Sequence, residues 1–229
     1  MLNEKISVLL SIFNNEKTIE FAILSILNQT YENIELLIMD DCSTDSSPII
    51  VEKYLNLDKR VKFYKNKKNI GLTKSLNILL ENTDGYYIAR QDADDISFLE
   101  RFEKQLKYIN ENNLDGCSTR AVIKNSLKIT PKKSYYLNKR LVLKIKNPFV
   151  HGSLLMKKEV LDKIGGYDNR FYFAQDYKLI NDLIKSNYKI GILKTPLYLL
   201  NLENNISTNF KNEQKYYSYC VRNNLDPKD

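Results

Sequence analysis

Three carboxylates stand within four residues at Asp92, Asp94 and Asp95, directly after the strand-like run Tyr86 to Ala89 and the pair Arg90-Gln91. Like charges this close repel, so collecting them at the end of a strand is costly unless a cation neutralises them. A hard divalent ion suits that role, because Mg²⁺ or Mn²⁺ takes a few carboxylate oxygens and completes its shell with water and substrate phosphates. A second acidic pair, Asp40-Asp41, follows the apolar run Ile34 to Met39 and precedes the turn-forming Cys42-Ser43-Thr44-Asp45. Strand ends carry weight because open α/β sheets bind ligands outside the carboxyl ends of their strands. Taken alone, Asp40 and Asp41 are equally well explained as turn and helix-capping residues. Neither Gly-x-Gly-x-x-Gly nor Gly-x-x-x-x-Gly-Lys-Ser/Thr occurs, so a phosphate would be held by metal and basic side chains, with Arg90 and Lys74 nearby in the sequence.

The elements that must position these acids alternate between strand and helix patterns. Ile6 to Phe13, Ile34 to Met39, Val61 to Tyr64 and Tyr86 to Ala89 are expected to be strands. Between them, Thr18 to Gln29 places Ile19, Ala22, Ile23, Ile26 and Leu27 at helical spacing, Ser47-Pro48 opens a helix toward Leu55, and Gly71 to Asn82 reads as turn and helix. Leu99 to Asn112 follows as a helix charged on one face, which makes four βα units and an α/β class with a mostly parallel sheet flanked by helices. Ser118 to Lys146, rich in Lys, Asn and Tyr, is placed loosely as strand, loop and a helix near Lys139 to Lys146. A strand at Ser153 to Met156, a helix from Lys158 to Ile164 stopped by Gly165-Gly166, and a helix from Asp176 to Ser186 complete the expectation. The last residues are polar, Tyr-rich and basic.

At 229 residues the chain is read as one compact domain. No stretch approaches the roughly 18 apolar residues of a membrane span, and Met1 to Ile6 lacks the pattern of a secretory signal, so a cytoplasmic location is expected. The three cysteines, Cys42, Cys117 and Cys220, are widely spaced and are expected to be reduced thiols. A formal charge of +7 is compatible with nucleic acid, an acidic membrane surface or an anionic substrate. Nucleic acid is disfavoured as a partner, because it would not explain acids gathered at strand ends.

Several matches stand in order along the chain: Ser7-Val-Leu-Leu-Ser-Ile-Phe-Asn-Asn-Glu16, Leu36-Leu-Ile-Met-Asp-Asp41 with Ser43, Thr44 and Asp45, Asn69-Ile-Gly71 with Leu76-Asn77, and Tyr87-Ile-Ala-Arg-Gln-Asp-Ala-Asp-Asp95 with Arg101 and Gln105. On these, from about Ile6 to about Leu193, the chain resembles the family 2 glycosyltransferases, an inverting group with a GT-A, Rossmann-like fold. The resemblance implies a nucleotide-sugar donor, usually a UDP-sugar, with residues 1–115 as the donor-binding half and 116–229 as the acceptor-binding half. It implies that Ser11, Phe13, Glu16, Asp40 and Asp41 line the nucleoside pocket, that Asp92 lies near the ribose with Ala93 beside it, and that Asp94, with Asp92, ligates Mn²⁺ or Mg²⁺. Lys74 and Arg90 are assigned to the diphosphate side.

Farther on, Asn147-Pro-Phe-Val-His-Gly-Ser153 is similar to the family's acceptor-side segment, which places His151, the only histidine, and Gly152 there. Gln175-Asp176 corresponds to the family's Glu-Asp pair, with Gln175 in place of the usual Glu and Asp176 as the implied catalytic base. One carboxylate suffices to take the proton of an attacking hydroxyl, while metal and cations stabilise the leaving diphosphate. The implied acceptor is a saccharide or lipid-linked saccharide in bacterial surface glycan synthesis, reached by peripheral contact at the inner face of the plasma membrane through Lys211, Lys215 and Arg222. One departure stands out: Tyr198 to Ser207 contains neither the Arg nor the His that the family often carries after its last strand.

Overall fold

The computed structural model describes residues 3–203 and 210–228. Strands β1 (Ile6–Ile12), β2 (Ile34–Asp40), β3 (Val61–Lys65) and β4 (Tyr87–Arg90) alternate with helices α1 (Ile19–Leu27), α2 (Ser47–Leu57) and α3 (Leu72–Glu81). They pair in parallel in the order β3-β2-β1-β4. Strand β2, Ile-Glu-Leu-Leu-Ile-Met-Asp, is buried along its whole length, as expected of a strand covered on both faces. Its one mid-strand charge, Glu35, is paired with Lys5 and Lys62 and accepts from the Ser7 hydroxyl.

Beyond β4 the sheet is mixed. After β5 (Ile96–Ser97) and α4 (Arg101–Glu111) come β6 (Gly116–Ile123), β7 (Ile129–Thr130), the short α5 (Lys139–Leu143), β8 (Leu155–Lys157), α6 (Lys158–Ile164), α7 (Gln175–Lys185), β9 (Ile190–Leu200) and α8 (Lys211–Asn223). Strand β8 runs antiparallel to both β4 and β6, β9 runs parallel to β6, and β5 runs antiparallel to β9. The sheet is therefore parallel through its first four strands and again in the β6–β9 pair, with antiparallel β8 between the two. Antiparallel β8 is decisive for the site, since it brings the residues before it to the edge where β4 ends.

Alternation along β1 sorts the core into two layers. Ile6, Val8, Leu10 and Ile12 face Ile23 of α1, Val51 of α2 and Phe102 of α4. Leu9 faces the other way with Leu37 and Met39 of β2, against Leu76 and Leu79 of α3, Leu161 of α6 and Leu183 of α7. Helix α2 begins one residue earlier than expected, with Ser46 rather than Ser47 at the cap and Pro48 in its first turn. Helix α8, unplaced by the sequence pattern, packs Cys220 and Val221 into the second layer, and the Tyr217 ring meets Phe171 and Phe173 edge to face. The last strand extends through Tyr198 to Leu200, so the Arg- and His-free segment starts inside β9, and its residues 204–207 lie outside the described residues. All three cysteines are free thiols. No helix among the described residues is long and apolar enough to cross a membrane.

Candidate active site

The loops after β1 and β2 are bonded into one shelf. The Asn14 amide nitrogen donates to Ser43 Oγ at 3.0 Å, Thr44 N donates to Asn14 Oδ1 at 2.8 Å, and Asn15 N donates to Ser47 Oγ at 2.8 Å. Glu16 N donates to Asp45 Oδ2, and the Glu16 carboxylate accepts from Ser46 N at 3.1 Å. Asn14 and Cys42 both hold left-handed backbones, φ 54° and 68°, a conformation that non-glycine residues keep only where their surroundings enforce it. Ser11 lies half-buried opposite Met39 at the end of β1, and Phe13 projects into solvent.

The acids after β2 are buried, and each has work in holding a loop. Asp40 Oδ1 accepts from Ser43 N at 2.9 Å. Asp41 accepts three bonds, from Ile70 N and Asn66 Nδ2 on one oxygen and from Gly71 N at 2.8 Å on the other. Gly71 is required there: its φ is 87°, and a Cβ would run into the Tyr172 ring. The Asp41 carboxylate is thus turned onto the backbone that opens α3. Lys74, in the first turn of that helix, is exposed, and its side chain joins no hydrogen bond or ion pair among the described residues.

At the end of β4 two buried guanidiniums organise the carboxylates. Arg90 donates from Nη1 to the carbonyls of Leu9 and Gln91, at 2.8 and 3.0 Å, and from Nη2 to Asp92 Oδ1. Arg101 donates to the carbonyls of Gly152 and Arg90, both at 3.0 Å, and stacks on Phe102 and Tyr198. Burial pushes the Arg101 pKa down to about 10, which still leaves it charged at neutral pH. The Tyr198 hydroxyl accepts from Asp92 N at 3.1 Å and is bonded to the Asp95 carboxyl. Asp95 also accepts from Asn201 N at 2.6 Å, while burial and the neighbouring Asp92 and Asp94 raise its pKa. Gly152 is pressed against this group: a Cβ there would meet Tyr198 Oη and stand 2.5 Å from Asp92 Oδ2. Ala93 is buried.

Asp94 is the carboxylate left over. Burial first, and the Asp92 charge second, raise its pKa to about 6 against the opposing pull of Lys124, and it joins no ion pair among the described residues. A desolvated carboxylate beside another gains from a cation, so the residues present fit a divalent ion at Asp94. Among the described residues no three His, Cys, Asp or Glu side chains gather as a self-sufficient metal site. One oxygen of Asp92 is committed to Arg90, so a cation here would draw most of its shell from ligand and water.

The acceptor-side residues meet the same edge. His151 opens the 3-10 turn His151–Ser153 ahead of β8, and its Nε2 lies 2.9 Å from Tyr167 Oη. Burial and the Arg90 cation push the imidazole pKa down to about 4, with Asp176 and Asp92 pulling the other way. The ring is neutral at pH 7 and within electrostatic reach of both acids. Asp176 sits in the first turn of α7, where Asn147 Nδ2 donates to its Oδ2 at 2.8 Å. Ala174 caps α7 with a left-handed φ of 52°, and Gln175 beside it is buried. Antiparallel β8 and the α7 N-terminus thus bring His151, Gly152 and Asp176 toward the β4 acids. Sequence reasoning did not give site roles to Arg101, Gln91, Asn147, Tyr167 or Tyr198. Signals existed for three of them, since Gln91 and Asn147 stand inside matched segments and Arg101 follows the acidic cluster by six residues at the head of a helix.

The model of glycosyl transferase family 2 matches residues 7–165. The O-antigen biosynthesis glycosyltransferase WbnJ of Escherichia coli is 36% identical over 183 residues, which is 77% of this chain and 70% of that protein. The first curated relatives are spanned unevenly, from 33% to 77% of their length and 60% for the first of them. Among solved structures, Staphylococcus aureus TarS 1-349 in complex with UDP aligns with a TM-score of 0.75 at 21% identity, covering 98% of this chain and 67% of that one. The mannosyltransferase PcManGT of Pyrobaculum calidifontis, in complex with GDP-Man and Mn²⁺, aligns with a TM-score of 0.78 at 17% identity, covering 100% of this chain and 66% of that one. The architecture they share with this chain is the GT-A fold.

Proposed function

The chain belongs to glycosyl transferase family 2, and from that premise we propose that it moves a hexosyl or N-acetylhexosaminyl group from a nucleotide diphosphate to an acceptor hydroxyl with inversion. The observation that carries the reading is the convergence of Asp176, fixed by Asn147, with the acids at the end of β4. In this reading the shelf of Ser11, Phe13, Glu16 and Asp40 faces the nucleoside. Asp41 acts from behind, by holding the Ile70-Gly71 backbone in place. UDP is the first nucleotide to test, and GDP the second, since the two fold relatives carry one each.

Asp176 takes the proton of the acceptor hydroxyl as its oxygen attacks the anomeric carbon. Its Oδ2 is held by Asn147, which leaves Oδ1 to face the acceptor. Asp92, fixed by Arg90 and by Tyr198 through its backbone, closes the donor side near the ribose. Mn²⁺ or Mg²⁺ held by Asp94, with Asp92, would supply a Lewis acid for the leaving diphosphate. Lys74, exposed in the first turn of α3, supplies a further positive charge on that side. His151 and Gly152 shape the acceptor side and Gln175 buttresses the base, the neutral imidazole serving as a hydrogen-bonding wall through Tyr167.

We read residues 1–229 as one catalytic domain with donor and acceptor halves, its acceptor a saccharide or lipid-linked saccharide of a bacterial surface glycan, at the cytoplasmic face of the membrane. The test is thermal stability with UDP, GDP, other nucleoside diphosphates and their sugars, with and without Mn²⁺, because a ligand of the native state raises the midpoint by mass action. A Mn²⁺-dependent rise with one nucleotide is expected, and Asp94→Ala should abolish it. Identical midpoints across the panel would sink the reading.

A further inference from the structure

Between Asp115 and Glu159 the chain carries eleven Lys and Arg and no Asp or Glu, more positive charge than the whole formal net of +7. The densest part is the excursion from the end of β6 through β7 and α5. There Lys124, Lys128, Lys132, Lys133, Lys144 and Lys146 are all exposed, and none joins an ion pair among the described residues. Elsewhere several surface lysines are answered by acids, as in Lys53–Glu20, Lys65–Glu52 and Lys104–Glu100.

The same excursion exposes its large aliphatic side chains. Leu127 is 75% exposed at the β6–β7 turn, Ile145 is 74% and Leu141 61% exposed, and Tyr136 and Leu137 stand out beside them. Leu127 holds a left-handed φ of 52°, at the tip of a turn where a polar residue or glycine would be the ordinary choice. Between β7 and α5 lies an open cavity of about 610 Å³ lined by Ile129, Leu137, Val142 and Ile145, with Lys128 and Lys146 at its rim. Exposed apolar side chains gathered in one region, rather than scattered singly, mark an interaction surface.

The two properties together select the occupant. A nucleic acid or other soluble polyanion would neutralise the lysines but leave Leu127, Leu141 and Ile145 in water. A bilayer with anionic headgroups answers both: the lysines meet the headgroups while the aliphatic tips enter the acyl boundary. We propose that residues 124–146 are the surface by which this protein docks on an anionic lipid bilayer. The placement suits the site, since Ile145 is only two residues from Asn147, at most about 7 Å of chain, and Asn147 holds Asp176. Arg222 of α8 reaches the Ile145 carbonyl at 3.5 Å, so the basic end of α8 adjoins the same edge. The inference rests on the transferase reading only for its purpose, the delivery of a lipid-linked acceptor to Asp176.

The test is co-sedimentation of the 229-residue chain with vesicles of phosphatidylcholine alone and of phosphatidylcholine with phosphatidylglycerol. Partition onto the anionic vesicles alone is expected, reduced roughly 30-fold in Lys132→Gln/Lys133→Gln. Leu141→Ser/Ile145→Ser should cut it about tenfold or more, with a loss that persists as salt is raised. No partition of the native chain, or equal partition of all three proteins, overturns the proposal. So does binding to poly(U) RNA or heparin that displaces the vesicles and ignores the aliphatic pair. The Mn²⁺-dependent midpoint shift with nucleotide is read in parallel on the same proteins. Intact shifts with lost partition support the docking surface, and partition without any shift removes the transferase reading while leaving the docking surface in place.

Discussion

In the segment from Arg90 to Arg101 the guanidiniums are buried and donate to the carbonyls of Leu9, Gln91, Gly152 and Arg90, with Asp92 closing the pair. In the segment from Lys124 to Lys146 six of the seven lysines stand in solvent, and none joins an ion pair among the described residues. Both segments lie on the same sheet, one at the end of β4 and the other beyond the end of β6. The difference teaches what each charge is for. A buried cation whose Nη groups donate to backbone carbonyls fixes geometry and is expensive to disturb, whereas exposed unpaired cations contribute little to stability and remain available to a partner. One segment reads as a rigid frame for chemistry and the other as an interaction surface.

Substitutions can break or sharpen that contrast. The largest effect should come from Asp176→Asn, with turnover reduced about 10²- to 10⁴-fold and the nucleotide-induced midpoint shift retained. Loss of the shift together with turnover would make Asp176 a structural residue instead. Next, Arg101→Met removes a buried cation and strands the Gly152 and Arg90 carbonyls, so urea unfolding should show a loss of about 3–5 kcal/mol. A loss below about 1 kcal/mol would mean that the rigid frame does not depend on this charge. Gly152→Ala drives a Cβ toward Tyr198 and Asp92 and should cost about 1–3 kcal/mol while weakening Mn²⁺-dependent nucleotide binding. Unchanged binding would show that the close approach of Gly152 does not position Asp92.

A smaller effect is expected from pH. The His151 pKa is depressed in the folded chain, to about 4, below its value of about 6.5 in the unfolded one. The unfolded state therefore binds the extra proton in that window, and stability present above about pH 6.5 is lost as pH falls toward 4. His151→Gln should flatten this part of the stability profile by about 1–3 kcal/mol, and parallel profiles for the two proteins would show that the imidazole is not buried neutral. The smallest effect belongs to the other segment. Lys132→Gln/Lys133→Gln should shift unfolding stability by no more than about 0.5 kcal/mol, and a larger loss would show that these lysines serve the fold.

Much of the first half was legible before any coordinates. Apolar runs of strand length and helix-spaced Ile19, Ala22, Ile23 and Ile26 are local signals, and each βα unit completes itself within about 30 residues. Acids at strand ends were visible for the same reason. The second half was harder to read, because β5 and β7 have two residues each and gain their hydrogen bonds from strands distant in sequence. Helix α8 carries a Tyr216-Tyr217-Ser218-Tyr219 run of modest helix propensity and is held by packing of Cys220 and Val221.

By itself the sequence determined the α/β class, the order of the first four strands and helices, and the identity of the acids that could do chemistry, because these depend on hydrophobic period and on residue type. Tertiary structure decided which acids are free to act. Asp41 and Asp95 carry the same carboxylate as Asp94, yet Asp41 is spent on the Ile70-Gly71 backbone and Asp95 is buried against Asn201 and Tyr198. Only the fold, by running β8 antiparallel to β4 and capping α7 beside it, brings Asp176 within electrostatic reach of the ring that Arg90 and Asp92 also influence. Residue type sets what a group can do, whereas solvent exposure and partners, which come from contacts 29 to 106 positions apart, decide whether it does.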